Sequence, residues 1–204
     1  MTSLLLATRN RGKAREIGKI LALHDVELLD LRALGFEGEI EERGDTFEEN
    51  ALIKAREVFQ QFGKPVIADD SGLVVPYLNG EPGVRSARYA GPLSNDEQNN
   101  CLLLKRLLGA VGEERRAFFC CVAVFYFGPD KYRVAEGTVY GSIMHELRGT
   151  EGFGYDPLFL VPEYGMAMAE LSDEEKNAIS HRGKAFTGLK RYIEEYFAGH
   201  DVEE

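Results

Sequence analysis

Cysteine is scarce in this chain of 204 residues: there are three, Cys101, Cys120 and Cys121. An odd count with two neighbours adjacent argues against a disulfide framework, and no spacing matches a zinc site. Reduced, buried thiols in a cytoplasmic protein are the expectation. Positive charge is also short, with 24 Lys and Arg against 34 Asp and Glu, a net charge of −10. A protein that grips duplex nucleic acid along its backbone is usually basic, so no nucleic-acid partner is expected. A local basic pocket for a small polyphosphate remains open. Long apolar runs are missing too. The first stretch, Leu4-Leu5-Leu6-Ala7, is followed at once by charge, and nothing approaches a membrane span, so neither a signal peptide nor a membrane partner is expected. There is no internal repeat, low-complexity tract or linker rich in Pro, Gly or Ser. The absence of Gly-x-Ser-x-Gly sets aside a hydrolase built on Ser71 or Ser180 with His181. The absence of Gly-x-Gly-x-x-Gly after the first strand sets aside a dinucleotide fold.

What remains is a chain with 44% apolar and 28% charged residues, the balance of a folded globular protein. Its length suits a single domain over 1–204, with or without a smaller lobe, ending in a loose acidic tail over 198–204. The pattern predicts strands over 3–7, 26–29, 65–68, 117–127, 132–143 and 158–161. Helices are predicted over 12–23, from Thr46 to Gly63, over 94–108, and over 181–197. Thr46 with Glu49, Ser94 with Glu97, and Ser172 with Glu175 have capping-box spacing. The aromatic run Ala117-Phe118-Phe119-Cys120-Cys121-Val122 reads as a buried central strand, turned through Gly128-Pro129-Asp130 into a hairpin partner. Helices and strands mix, so the class is α/β, and the hairpin argues against a purely parallel sheet.

Four stretches carry the chemistry. Residues 7–17, ATRNRGKAREI, look at first like a phosphate loop, but Ala7 stands where a Walker loop needs glycine and Ala14 where it needs a hydroxyl. The physics of a helix start still attracts anions, because unpaired N–H groups meet the Lys13 charge, with Thr8 and Asn10 alongside. The alternative is an ordinary capped surface helix. The second stretch is acidic. Glu39, Glu41 and Glu42 lie in a loop, and Asp69 and Asp70 are expected just past the end of a buried strand, where hard carboxylates suit Mg²⁺. A solvated charge run and a turn-capping Asp are the plain alternatives. In the third, Gly152 and Gly154 allow close backbone approach, Phe153 and Tyr155 offer rings for stacking, and Asp156 offers an acceptor. A strand-connecting turn with aromatic plugs is the other reading. The fourth gathers Lys176, Ser180, His181 and Arg182 at a helix start, with a turn expected over 177–180. These donors suit an oxo group or a phosphate. Lys54 reads either as a phosphate contact or as a solvated helix lysine.

Taken in order, the pieces Thr8-x-Asn10-x-x-Lys13-x-x-Glu16, Glu49-Asn50-Ala51-x-x-Lys54-Ala55, Ala68-Asp69-Asp70-Ser71-Gly72-Leu73, Pro82-Gly83 with Ser86-Ala87-Arg88-Tyr89, Gly152-Phe153-Gly154-Tyr155-Asp156-Pro157 and Glu175-Lys176-x-Ala178-x-Ser180-His181-Arg182 span nearly the whole chain. The sequence resembles the inosine triphosphate pyrophosphatases, the HAM1-like or RdgB-like nucleotide-sanitising enzymes. The resemblance implies a mixed central sheet flanked by helices, in two lobes with the active-site cleft between them. It also implies a homodimer, Mg²⁺ dependence and cleavage of a purine nucleoside triphosphate between its α- and β-phosphates, with 6-oxo purines (ITP, dITP, XTP) preferred. On this reading Thr8, Asn10, Lys13 and Lys54 cradle phosphate. Glu42 (or Glu41) and Asp70 hold Mg²⁺, Asp70 activates water, and Ser71 bonds phosphate. Phe153 stacks on the base within the Gly154-Tyr155 loop, and Asp156, Lys176, His181 and Arg182 surround its edge.

Overall fold

The computed structural model describes residues 2–199. Seven strands form one sheet in the order β2-β1-β3-β4-β5-β6-β7. In chain order the strands are β1 (Thr2–Leu6), β2 (Val26–Asp30), β3 (Val66–Val74), β4 (Arg116–Gly128), β5 (Lys131–Ile143), β6 (Phe159–Val161) and β7 (Met166–Ala167). The helices are α1 (Arg11–Leu21), α2 (Phe47–Phe62), α3 (Asp96–Arg106), α4 (Asp173–Ile179) and α5 (His181–Phe197). β1 pairs in parallel with β2 and β3, whereas β5–β6 and β6–β7 are antiparallel, so the sheet is mixed as expected. A two-residue connection joins β4 to β5, which only antiparallel neighbours allow.

The chain divides into two compact units. The first holds the residues up to Asp70, Cys121–Gly137 and those from Arg182 on; the second holds Ser71–Cys120 and Thr138–His181. Strands β3, β4 and β5 contribute residues to each. In the first unit helices cover both sheet faces, which is why β1, the start of β3 and the unit's part of β4 read as apolar runs. Leu4, Leu6, Ile67, Cys121, Ala123 and Phe125 pack with Ile17 and Leu21 of α1 and Phe186, Leu189 and Ile193 of α5. The alternate residues Leu5, Ala7, Val66, Ala68, Val124 and Tyr126 pack with Ala51, Ala55 and Val58 of α2. The period-2 alternation of the strand backbone therefore assigns each residue to one helix layer. In the second unit Leu73, Phe119, Val139, Ile143, Phe159 and Val161 pack with Leu103 of α3 and with its C-cap Leu107.

The capping signals at Thr46 and Ser172 are where the sequence puts them, and Gly63 closes α2 in the left-handed conformation. Four expectations are corrected. β3 does not stop at Ala68 but runs through Asp69-Asp70-Ser71-Gly72 to Val74. The cap of α3 is Asn95 with Gln98, because the Ser94 hydroxyl is spent on the Gly91 carbonyl and Asn99. The expected turn over 177–180 is the end of α4, with Ser180 as its C-cap. Cys101 is an exposed thiol on α3, while Cys120 and Cys121 are buried, and none of the three is in a disulfide. Of the expected tail, Ala198 and Gly199 hydrogen-bond back onto α5, and 200–204 lie outside the described residues. No helix among the described residues is long and apolar enough to cross a membrane.

Candidate active site

Asn10 caps α1 by accepting the Lys13 backbone N–H at 3.1 Å, and the Thr8 hydroxyl oxygen accepts the Asn10 N–H at 3.1 Å. The two side chains expected to reach a ligand thus also fold their own loop. The loop delivers the Lys13 ammonium to Asp69 Oδ2 at 2.8 Å. Arg182 at the start of α5 pairs with Glu16 at 2.6 Å, and its Nε lies 3.6 Å from the same Asp69 oxygen. Burial alone would raise the Asp69 carboxyl. The charges of Lys13, then Arg182 and Lys54, outweigh it and hold the group well below the usual carboxylate range.

The longer β3 explains why two adjacent aspartates have different company. Successive strand residues point to opposite faces, so Asp69 shares the face of Ile67 with α1 and α5, and Asp70 shares that of Ala68 with α2. Asp70 Oδ2 accepts from Asn50 Nδ2 at 3.1 Å, and its Oδ1 lies 3.4 Å from the Lys54 ammonium. Lys54 also pairs with Glu42 at 2.8 Å. Here burial dominates. It pushes the Asp70 carboxyl above its ordinary value despite Lys54 and Lys13, with Glu42 adding a like charge. Burial would likewise lower the Lys54 ammonium, but Asp70, Glu42 and Asp69 together hold it above its ordinary value. Of the two acids weighed as metal ligands, Glu42 meets this group, whereas Glu41 is exposed and paired to Arg43. Two hard carboxylates converge here, and no group of three or more His, Cys, Asp or Glu among the described residues is arranged for a metal. That donor set fits Mg²⁺, which takes one or two protein carboxylates and completes its shell with water and phosphate. Ser71 follows in β3, half-buried, as the first residue of the second unit.

The second unit contains the remaining residues. Asp156 Oδ2 accepts the Phe153 N–H at 2.9 Å and pairs with Lys176 at 2.6 Å, with both charges almost fully buried. The Lys176 ammonium sits 5.1 Å from the centroid of the half-buried Phe153 ring, a cation–π geometry. Tyr155 does not present its ring for stacking. It is buried in the core, and its hydroxyl donates to the Ser86 carbonyl at 2.9 Å. His181 is stacked on Phe119 at 4.8 Å. The four groups expected around one base edge therefore have three different settings: Asp156 and Lys176 with Phe153, His181 on Phe119, and Arg182 with Glu16 and Asp69.

Three residues of these groups lay outside the predicted site: Glu16, Asn50 and Asp69. Asn50 carried a readable signal. It sits with Ala51, Lys54, Ala55 and Val58 on the buried stripe of α2, and an amide kept on a core-facing stripe needs a polar partner. Asn100, buried on α3, carries the same signal. Glu16 and Asp69 stood inside conspicuous motifs, but their partners come from α5 and α1, which sequence proximity does not reveal.

The Ham1 family matches residues 4–192. A protein of Bacillus anthracis named dITP/XTP pyrophosphatase is 47% identical over 201 residues, covering 98% of this chain and all of that one. Among solved structures, a HAM1 protein from Coxiella burnetii superposes with a TM-score of 0.86 at 40% identity, covering 96% of this chain and all of that one. The Ham1 protein of Staphylococcus aureus does so with a TM-score of 0.84 at 41% identity and the same coverage. A match of this length, carried by both sequence and fold, means that the chain belongs to the Ham1 family.

Proposed function

We propose that this protein is a nucleoside-triphosphate pyrophosphatase that hydrolyses 6-oxo purine nucleotides (dITP, ITP and XTP) to the monophosphate and pyrophosphate, removing them from the nucleotide pool. The observation that carries the reading is the convergence of Glu42 and Asp70 on the buried Lys54 ammonium. It provides opposite charges of the kind a phosphate–metal complex needs on both sides. The relatives' names, dITP/XTP pyrophosphatase, support two of these substrates, dITP and XTP.

Lys13, Lys54 and the N-terminus of α1 supply positive charge for the triphosphate, with Thr8, Asn10 and Ser71 as hydrogen-bonding neighbours. Glu42 and Asp70 would hold Mg²⁺, while Glu41 is engaged by Arg43. When bound, the ion neutralises charge on the phosphates and orients water. Asp70 takes the proton of the attacking water. The water oxygen forms a bond to the α-phosphorus as the α–β bridging bond breaks, and pyrophosphate leaves with the bonding electrons. A carboxyl whose pKa is raised by burial is a better proton acceptor than an ordinary one. No covalent nucleophile is required.

Phe153 stacks on the purine. Lys176, over that ring, supplies the cationic edge, with Asp156 fixing it and Gly154 and Tyr155 shaping the loop; His181 is a further donor of the same unit. A 6-oxo purine accepts a hydrogen bond where adenine donates one. An unmatched buried donor costs roughly 1–3 kcal/mol, one to two decades of discrimination. The protein acts as a homodimer, a single functional domain over 1–204, in the cytoplasm, in keeping with three cysteines outside any disulfide. The test is a panel of dITP, ITP, XTP, GTP, ATP, dUTP and dTTP with Mg²⁺, reading pyrophosphate and orthophosphate separately. Pyrophosphate from the inosine and xanthine nucleotides is expected; release of orthophosphate alone overturns the reading.

A further inference from the structure

The loop carrying Phe153 is gripped by a helix that the reaction does not use. Gly154 donates its N–H to Asp96 Oδ2 at 2.7 Å, and its carbonyl accepts from Asn100 Nδ2 at 2.9 Å. The two side chains are four residues apart, hence on one face of α3, and they hold both polar groups of a single residue. Neither is needed for the capping box of the helix. Asn95 and Gln98 already make the capping box, so the Asp96 carboxylate, at the first helical position, turns outward to a residue 58 positions away. Asn100 is buried, and its Oδ1 has no hydrogen-bond partner among the described residues. The helix keeps a buried amide here whose side-chain hydrogen bond among the described residues is the one to Gly154. Gly154 adopts φ +64, with open space where a Cβ would stand, so its backbone conformation rather than crowding calls for glycine.

We propose that Asp96 and Asn100 are positioning residues for base selection: together they clamp the Gly154 peptide groups and so fix the Phe153 ring against the Lys176–Asp156 pair. The inference rests on the proposed reading of Phe153 and Lys176 as the purine site. The clamp lies between two further anchors, the Phe153 N–H on Asp156 and the Tyr155 hydroxyl on Ser86. With both in place, the segment from Phe153 to Asp156 has little freedom left except at Gly154, which the clamp removes. A loose Gly154 lets the ring swing away from Lys176. Stacking would survive in part, because any base has a π-face, but the alignment of donor with the 6-oxo group would not.

The experiment compares kcat/KM for dITP and dATP in the full chain and in Asp96→Ala, Asn100→Leu, Asp96→Asn and Glu97→Ala. Asp96→Asn keeps an acceptor for the Gly154 N–H. Glu97→Ala removes another acid of the first turn of α3 and controls for the helix dipole. Asp96→Ala and Asn100→Leu are expected to lower the dITP to dATP preference about 10-fold, chiefly through KM for dITP, with Asp96→Asn restoring most of it and Glu97→Ala unchanged. Equal losses for both substrates mark a merely structural role and overturn the inference. So does a preference that survives in the two clamp variants. A wild-type enzyme without any dITP preference overturns instead the base-recognition reading on which the clamp rests.

Discussion

Adjacent aspartates in β3 should respond to the same substitution in opposite ways. Asp70→Asn replaces a carboxylate that burial disfavours: its pKa is raised, so the fold stabilises the neutral form relative to the charged one. The amide keeps an acceptor for Asn50, and Glu42 still neutralises Lys54. Stability at neutral pH should stay at or slightly above wild type. Turnover should fall by about two to four decades, the usual contribution of a positioned base. Asp69→Asn does the reverse. It removes a carboxylate whose charged form is strongly favoured and leaves Lys13 and Arg182 without the negative charge they share. Removing one member of a buried ionic group costs about 3–5 kcal/mol, a drop of roughly 6–20 °C in melting temperature at this chain length. Urea midpoints at matched slope, with pyrophosphate release measured on the same samples, test both halves. If Asp70→Asn is as destabilised as Asp69→Asn, the contrast between the two sheet faces is wrong. If Asp70→Asn turns over normally, Asp70 is not the base.

Three further outcomes follow from the same geometry. The Asp69 contribution is fully present above the ordinary carboxyl value of 3.8 and is lost as pH falls toward its depressed folded value; the stability gap between wild type and Asp69→Asn should therefore be full at about pH 6 and narrow below about pH 4, and a pH-independent gap contradicts the assignment. At Gly152, with φ +79, a Cβ would stand 2.2 Å from Asp156 Oδ2 and 2.9 Å from Lys176 Nζ, so Gly152→Ala should cost about 1–3 kcal/mol more than Gly154→Ala, which meets only the left-handed backbone penalty; equal urea midpoints for the two variants would remove the crowding argument. Chelating divalent ions should abolish turnover while leaving the melting temperature of the nucleotide-free protein unchanged, since Lys54 already pairs with both Glu42 and Asp70, with thermal stabilisation by Mg²⁺ emerging only when nucleotide is present; a large shift with Mg²⁺ alone points to a preformed metal site instead.

Local rules determined much of this molecule before any folding. The capping boxes at Thr46 and Ser172, the glycine stop at Gly63 and the aromatic run of β4 are decisions of neighbouring residues, so they were legible in the sequence. The ordered motifs identified the chemistry for the same reason, because each is a short stretch. The tertiary structure decided the partners. Asp69-Asp70-Ser71-Gly72 has the composition of a turn, yet β3 carries it as strand, since long-range pairing overrides local propensity. Once those residues are strand, the pleat sends one aspartate to α1 and α5 and the other to α2, giving adjacent carboxyls opposite electrostatics. Arg182 and Glu16, 166 positions apart, and Asp96 and Gly154, 58 apart, meet only through the fold. Sequence spacing sets which side chains share a helix face or a strand face, but which faces come together is settled by burying apolar surface across the whole chain.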